Sequence, residues 1–541
     1  MEKKYISEAR YKKSTTRKRR DSKTVKSNIK SKNEIKVVQK KQPQKKIVKR
    51  KIRKKTRDNK PNNIVVCIIL IVIIAIISRA IFKDKNEPFI PLPFMNRANE
   101  EVIKIGVITT DSLLDNNTGN VVINELNKYS TDMILKVGSN YNIEYECISS
   151  VNKISNTEYE LIKSEESNVT IVEIKNAIDS YRANEKNIYY TKLQNIQSVT
   201  IVNPNKLNIK LKVSDPYFIY NLEISLGTTK DVSNYTKDVN STSNKLILNR
   251  HKNADKHLPL KIIVTKYKDV YAAAQAYKEQ EINIFVTNAE NVQTILGKYE
   301  YNINTYRNGQ SIFLIGNPKS DICSTKEVRQ AIAYSIDRDG IIKDVFKDKG
   351  LKIDLPYIYD IVKYKYDIYA AENLLLTKGY TKSNKVYSKF VNGIKTPLEL
   401  DLLVNKNDEI KVSIANSIKN NLEAIGIKVN IEKVTDAKLK TRIKNEEYDL
   451  ILANVNLNNN PNISFIHDKL YVNEDINNKI INIQNSNTKD LNANILDLKV
   501  VMSENISTIG IYSDVSYLIY SKSIVGIENI SYMNLFKSIL S

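Results

Sequence analysis

The stretch Ser324-Thr-Lys-Glu-Val-Arg-Gln-Ala-Ile-Ala-Tyr-Ser-Ile-Asp-Arg-Asp-Gly-Ile-Ile-Lys-Asp-Val-Phe346 decides the reading of the fold. Ser324 or Thr325 stands where a helix cap belongs. Val328, Ala331, Ile332, Ser335 and Ile336 then recur at i, i+3, i+4, i+7 and i+8, which puts them on one face of a helix facing a core. Asp337 follows that face and is placed to cap a second helix that opens Arg338-Asp-Gly-Ile-Ile. Asp337 and Asp339 form a local acid pair, but a cap uses the first without any acid–base chemistry.

Helix and strand alternate on both sides of this stretch. Downstream, residues 408–432 carry Ile414, Ile418, Leu422 and Ile425 on one helical stripe, Gly426 as the stop, and Ile427, Val429 and Ile431 alternating as a strand. A helix near 436–446 and a strand over 450–455 follow. Upstream, residues 101–109 alternate as a strand, and residues 142–173 hold several short alternating runs. Residues 198–213 read as two strands broken at Asn203-Pro204-Asn205. Residues 269–281 read as a helix with Ala272, Ala273 and Ala276 on one side, ahead of a strand over 282–286. This alternation predicts an α/β or mixed α+β architecture.

Charge is divided unevenly over the 541 residues. The first 60 carry 26 Lys+Arg and 5 Asp+Glu, a net of +21, and the remainder nets +3. The body is therefore nearly neutral and is no nucleic-acid-binding domain on charge. Residues 1–62 show no apolar periodicity and read as a disordered basic tail. That tail serves as a topology signal, touches anionic lipid beside a membrane, or meets nucleic-acid phosphates without specificity; the residues leave the choice open.

Residues 64–77 are unbroken apolar, and residues 63–82 read as an uncleaved transmembrane helix with Arg79 snorkelling at its end. A signal peptide cut near Ser78-Arg79-Ala80 is the rival reading. The basic tail places the N-terminus in the cytoplasm and all that follows outside. Pro88, Pro91 and Pro93 mark residues 83–100 as a stiff linker. Three cysteines make no disulfide framework; Cys67 lies in the apolar run, and Cys147 and Cys323 pair only if the fold joins them.

Val328-Arg-Gln-Ala-Ile-Ala-Tyr-Ser-Ile-Asp-Arg338 resembles the signature of the family 5 extracellular solute-binding proteins, the oligopeptide-, dipeptide- and nickel-binding components of ABC importers. Ala371-Glu-Asn-Leu-Leu-Leu-Thr-Lys-Gly-Tyr380, Leu422-Glu-Ala-Ile-Gly-Ile-Lys-Val429 and Glu447-Tyr-Asp-Leu450 follow in the family's order. Upstream, Tyr141-Asn-Ile, residues 149–160 and Asn195-Ile-Gln-Ser-Val-Thr200 are similar more weakly. The resemblance implies a two-lobed, type II periplasmic-binding-protein-like fold. Lobe I would comprise 101–310 with a return over 511–541, and lobe II 311–510. Ser311-Ile-Phe-Leu-Ile-Gly-Asn317 would be the first crossover strand and residues 509–515 the return. It also implies a ligand, peptide or other small solute, caught by lobe closure and passed to an ABC permease with a separate ATPase. The alternative is a degenerate scaffold or sensor that no longer transports.

The family's Trp and amine-gripping Asp, which follow the strand at Leu450–Leu452, have no counterpart here. The chain contains no Trp, and the matching stretch reads Ala453-Asn-Val-Asn-Leu-Asn-Asn-Asn-Pro-Asn462. The resemblance makes Ala453, Asn454, Val455, Asn456 and Asn458 the ligand-binding candidates, with amides in place of the carboxylate. The family's Gly-rich segment is also missing near 232–243. His251, His257 and His467 are too scattered for a metal site, so no metal or cofactor is expected. No phosphate-binding Gly-rich loop and no nucleophile motif occurs, so the expectation is a binding protein and not an enzyme.

Overall fold

The computed structural model describes residues 102–540 apart from 116–118, 232–233, 359, 361, 465–471, 528–529 and 532–533. The predicted tail, apolar segment and linker, with Cys67 and His467, lie outside the described residues. Among the described residues no helix is long and apolar enough to cross a membrane.

The deciding stretch folds as Lys326–Ser335 followed by Arg338–Phe346. All five residues of the predicted apolar face are buried. Thr325 occupies the cap position, yet its side chain makes no capping bond. Arg329, buried on the same helix, fastens the start instead: it donates to the carbonyls of Cys323 and Ser324, and across the fold to Asn505 and Ile506. Asp337 does cap the second helix, accepting from the Gly340 amide at 2.9 Å. Arg338 is buried in an ion pair with Asp354 at 2.6 Å and donates as well to the carbonyls of Ile353, Tyr364 and Gly510. The helix Glu409–Ile425 buries Ile414, Ile418, Leu422 and Ile425 and ends at Gly426 with φ 104°, a left-handed cap that suits glycine.

Ten strands make one sheet, in the order Lys428–Val434, Glu399–Asn405, Leu450–Asn456, Asn302–Gly316, Ile509–Tyr520, Ile284–Thr287, Val102–Ile108, Lys261–Tyr267, Lys245–Arg250 and Tyr235–Lys237. The two long strands Asn302–Gly316 and Ile509–Tyr520 pair antiparallel and run through both halves of it. At one end they lie beside Ile284–Thr287, and at the other Asn302–Gly316 pairs with Leu450–Asn456. The first of them begins at Asn302, upstream of the apolar stretch expected at Ser311. Polar Asn302, Asn304 and Asn308 interrupt the apolar alternation there and conceal the strand from a hydrophobic pattern.

A separate antiparallel sheet has the order Ile148–Ser155, Glu158–Lys163, Lys206–Leu211, Ile196–Asn203. The helix Ile171–Ala183 starts from a reciprocal Thr170–Glu173 capping box and packs on this sheet. Val151, Leu161, Ile174 and Ile209 from this region share one core with Phe313, Tyr357 and Met502 from the later chain. Cys147 belongs to that core and Cys323 to a different one; both are free, and burial pushes both thiols up to about 12.

Candidate functional site

The strand Leu450–Asn456 ends where the asparagine run begins. Asn456 still pairs with Gln310, and the Leu457 amide donates to the Gly309 carbonyl at 2.7 Å. Beyond Leu457 the chain leaves the sheet in consecutive side-chain turns. Asn458 Oδ1 accepts from the Asn460 amide, Asn460 Oδ1 from Asn462, and Asn462 Oδ1 from Ser464, at 2.7, 3.0 and 2.8 Å. Short amide side chains favour such turns because they reach their own backbone two residues on. Alternate asparagines therefore shape the loop, which leaves Asn459 aimed the other way.

This loop forms one wall of a cavity of about 440 Å³. The opposite wall comes from far earlier in the chain: Tyr141, the short helix Tyr190–Leu193 with Lys192, and the turn Phe218–Leu222 with Tyr220 and Asn221. Pro356 and Ile358 close one side. Tyr141 joins the walls, since its hydroxyl accepts from the Ile358 amide at 3.1 Å and its ring meets Tyr220 and Tyr357 edge-on, each 6.2 Å away. Asn460 Nδ2 donates across to Asn221 Oδ1 at 2.9 Å.

Of the five candidates from sequence, Asn456 and Asn458 line this cavity. Ala453, Asn454 and Val455 stand on the strand ahead of it, with Val455 buried in the core and Asn454 exposed. Asn458 spends its side-chain oxygen on its own turn. Asn459, one of the amides that stand where the family places its Asp but not among those five, is only 3% exposed. Its Nδ2 donates to Glu223 at 3.2 Å, while its Oδ1 is buried with no partner among the described residues. Glu223 carries no local sequence signal, because its role depends on a partner that the fold alone brings near.

Glu223 is buried and also accepts from the Val137 amide at 3.1 Å. Lys128 bridges Glu223 at 3.1 Å and Glu125 at 2.8 Å. Burial works to raise the Glu223 carboxyl, but Lys128 and Lys192 together hold it below its ordinary value. Burial pushes Lys192 down. Its ammonium donates to the Glu223 carbonyl at 3.4 Å and stands 5.9 Å from the Tyr189 ring centre. No carboxylate lines the cavity among the described residues.

A second cavity of about 450 Å³ lies beside Lys128, Asp132 and Asp231. Its two aspartates are occupied by Thr228, Ser167 and neighbouring backbone amides, which is the work of holding a loop. Among the described residues no group of three His, Cys, Asp or Glu is arranged to hold a metal ion.

Solved structures share the mixed α/β fold. A nickel ABC transporter protein from Bacillus halodurans aligns with a TM-score of 0.60 at 16% identity, covering 80% of this chain and 98% of that one. The periplasmic murein tripeptide-binding protein MppA, in an unliganded open form, aligns at 0.60 and 14%, covering 82% and 96%. The chain belongs to the bacterial extracellular solute-binding proteins, family 5, whose middle-region model matches residues 166–475. Among curated relatives, the oligopeptide-binding protein AppA of Bacillus subtilis (strain 168) is 24% identical over 190 residues, 34% of this chain and 35% of that one. The probable D,D-dipeptide-binding periplasmic protein DdpA of Escherichia coli (strain K12) is 26% identical over 158 residues, 28% of each. The match thus spans about a third of the length of these curated relatives.

Proposed function

We propose that this protein is a membrane-anchored extracellular receptor that captures a peptide or similar small solute in the cavity beside Asn459 and delivers it to an ABC permease with a separate ATPase. The observation that carries the reading is the cavity itself, walled by residues 141–221 on one side and 356–464 on the other. Walls drawn from separate parts of the chain suit capture by closure of two lobes about the long strands that run through both halves of the sheet. The peptide- and dipeptide-binding names of the relatives favour a peptide-like ligand. The 26-to-5 charge imbalance before residues 63–82 favours an anchor with the body outside the cell. Its basic tail, next to the membrane, suits contact with anionic lipid.

Native mass spectrometry of the full chain, purified in mild detergent, tests the binding function. The expected result is a bound solute that is lost on unfolding and does not return on refolding without added solute. Repeated preparations with no bound mass, and no uptake from a peptide mixture, would support a scaffold that has lost transport.

A further inference from the structure

We propose that Asn459 Oδ1, oriented and polarised by Glu223, is the acceptor for a neutral amide N–H of the ligand, and that Lys192 receives an anionic group of the same ligand, so that the cavity disfavours a free ammonium. The inference rests on the binding-protein reading above and names its ligand chemistry.

The orientation of Asn459 follows from its partner. An ionised carboxylate only accepts, so the amide must turn its Nδ2 toward Glu223, and its oxygen faces away. That oxygen is buried and finds no partner among the described residues. A buried acceptor left alone is costly, and an N–H from outside the protein relieves it. The oxygen is covered in this arrangement of the walls, so a ligand reaches it when they part and satisfies it as they close.

The charges on the walls set which N–H is taken. Behind the walls Glu125 and Glu223 are matched by Lys128 and by Lys192, two acids against two bases, and among the described residues no carboxylate lines the cavity itself. An incoming ammonium gains no net negative charge to replace its lost hydration. A neutral amide N–H loses far less on entry. Lys192, half-buried and held by one long hydrogen bond to the Glu223 carbonyl, keeps donors for an anion.

The test offers the full chain a random tripeptide library in free and N-acetylated forms and reads the bound masses by native mass spectrometry. The acetylated form, spared the ammonium's loss of hydration, should be enriched roughly tenfold. Asn459→Ala, which leaves the Glu223–Lys128 pair in place, should abolish uptake of both forms while the chain, though less stable for losing the donor to Glu223, stays folded at the assay temperature as its melting curve reads. The double change Asn459→Asp with Glu223→Gln restores a carboxylate without setting two acids against each other, and it should invert the preference. Equal or better binding of the free amines, uptake undiminished in Asn459→Ala, or failure of the double variant to invert the preference would overturn the proposal. A solute that co-purifies in native protein while the library shows no acetyl preference leaves the receptor reading standing and removes this one. Failure to take up either form, with no co-purified solute, removes both.

Discussion

Arg338 gathers four oxygens from separated parts of the chain: Ile353 O, Asp354 Oδ1, Tyr364 O and Gly510 O. A planar guanidinium suits such a cluster because its donors point in fixed directions. Removing it leaves Asp354, which is 1% exposed, without its cation and with only the Lys363 and Tyr364 amides donating to its other oxygen. Arg338→Ala should therefore cost about 3–5 kcal/mol in urea unfolding. Asp337→Ala, which loses only a cap, should cost about 0.5–2 kcal/mol. Arg338→Lys should recover little, since one ammonium cannot span the same oxygens. Equal costs for Arg338→Ala and Asp337→Ala would show that the arginine cluster is dispensable. The sequence makes Asp337 legible because a cap speaks to its own helix. The roles of Arg329 and Arg338 are not legible, because acceptors such as Asn505, Ile506 and Gly510 arrive from far along the chain.

Among elements, the helices with stripes and stops follow their patterns. Glu409–Ile425 ends at Gly426 as its spacing predicts. The Asn302–Gly316 strand does not follow its pattern, and the loop after Asn456 shows why the site was only partly readable. Asparagines at 458, 460 and 462 look like interchangeable polar candidates, yet their two-residue spacing is a turn code. Gly309 meets this loop where the register of the long strands shifts between Arg307 and Ser311. It has φ 94°, and a Cβ there would stand 2.4 Å from the Leu457 carbonyl oxygen. Gly309→Ala combines a left-handed backbone with a collision against main chain. It should destabilise by roughly 1–3 kcal/mol and loosen the asparagine loop, read as faster amide exchange at Leu457, Asn460 and Asn462. Unchanged stability and exchange would mean that the register shift relaxes freely.

For the molecule as a whole, the order of the family's landmarks along the chain was legible, while the cavity was not, because its two walls meet only after folding. The proposed topology can be tested on intact cells. Protease added outside should remove the body and leave a small basic fragment in the membrane. A released body beginning near Ile81 would show cleavage instead. The sheet order also has a temporal meaning. Ile509–Tyr520 lies between Asn302–Gly316 and Ile284–Thr287 and pairs with both, although it is among the last strands to be synthesised. Until it emerges, each of these two strands has a bare edge, a template for pairing with other chains. Final folding therefore waits on the C-terminal end of the chain, which makes it slow and non-local. A chain cut short before residue 509 would have its sheet open at the middle and should aggregate rather than persist as a half-receptor.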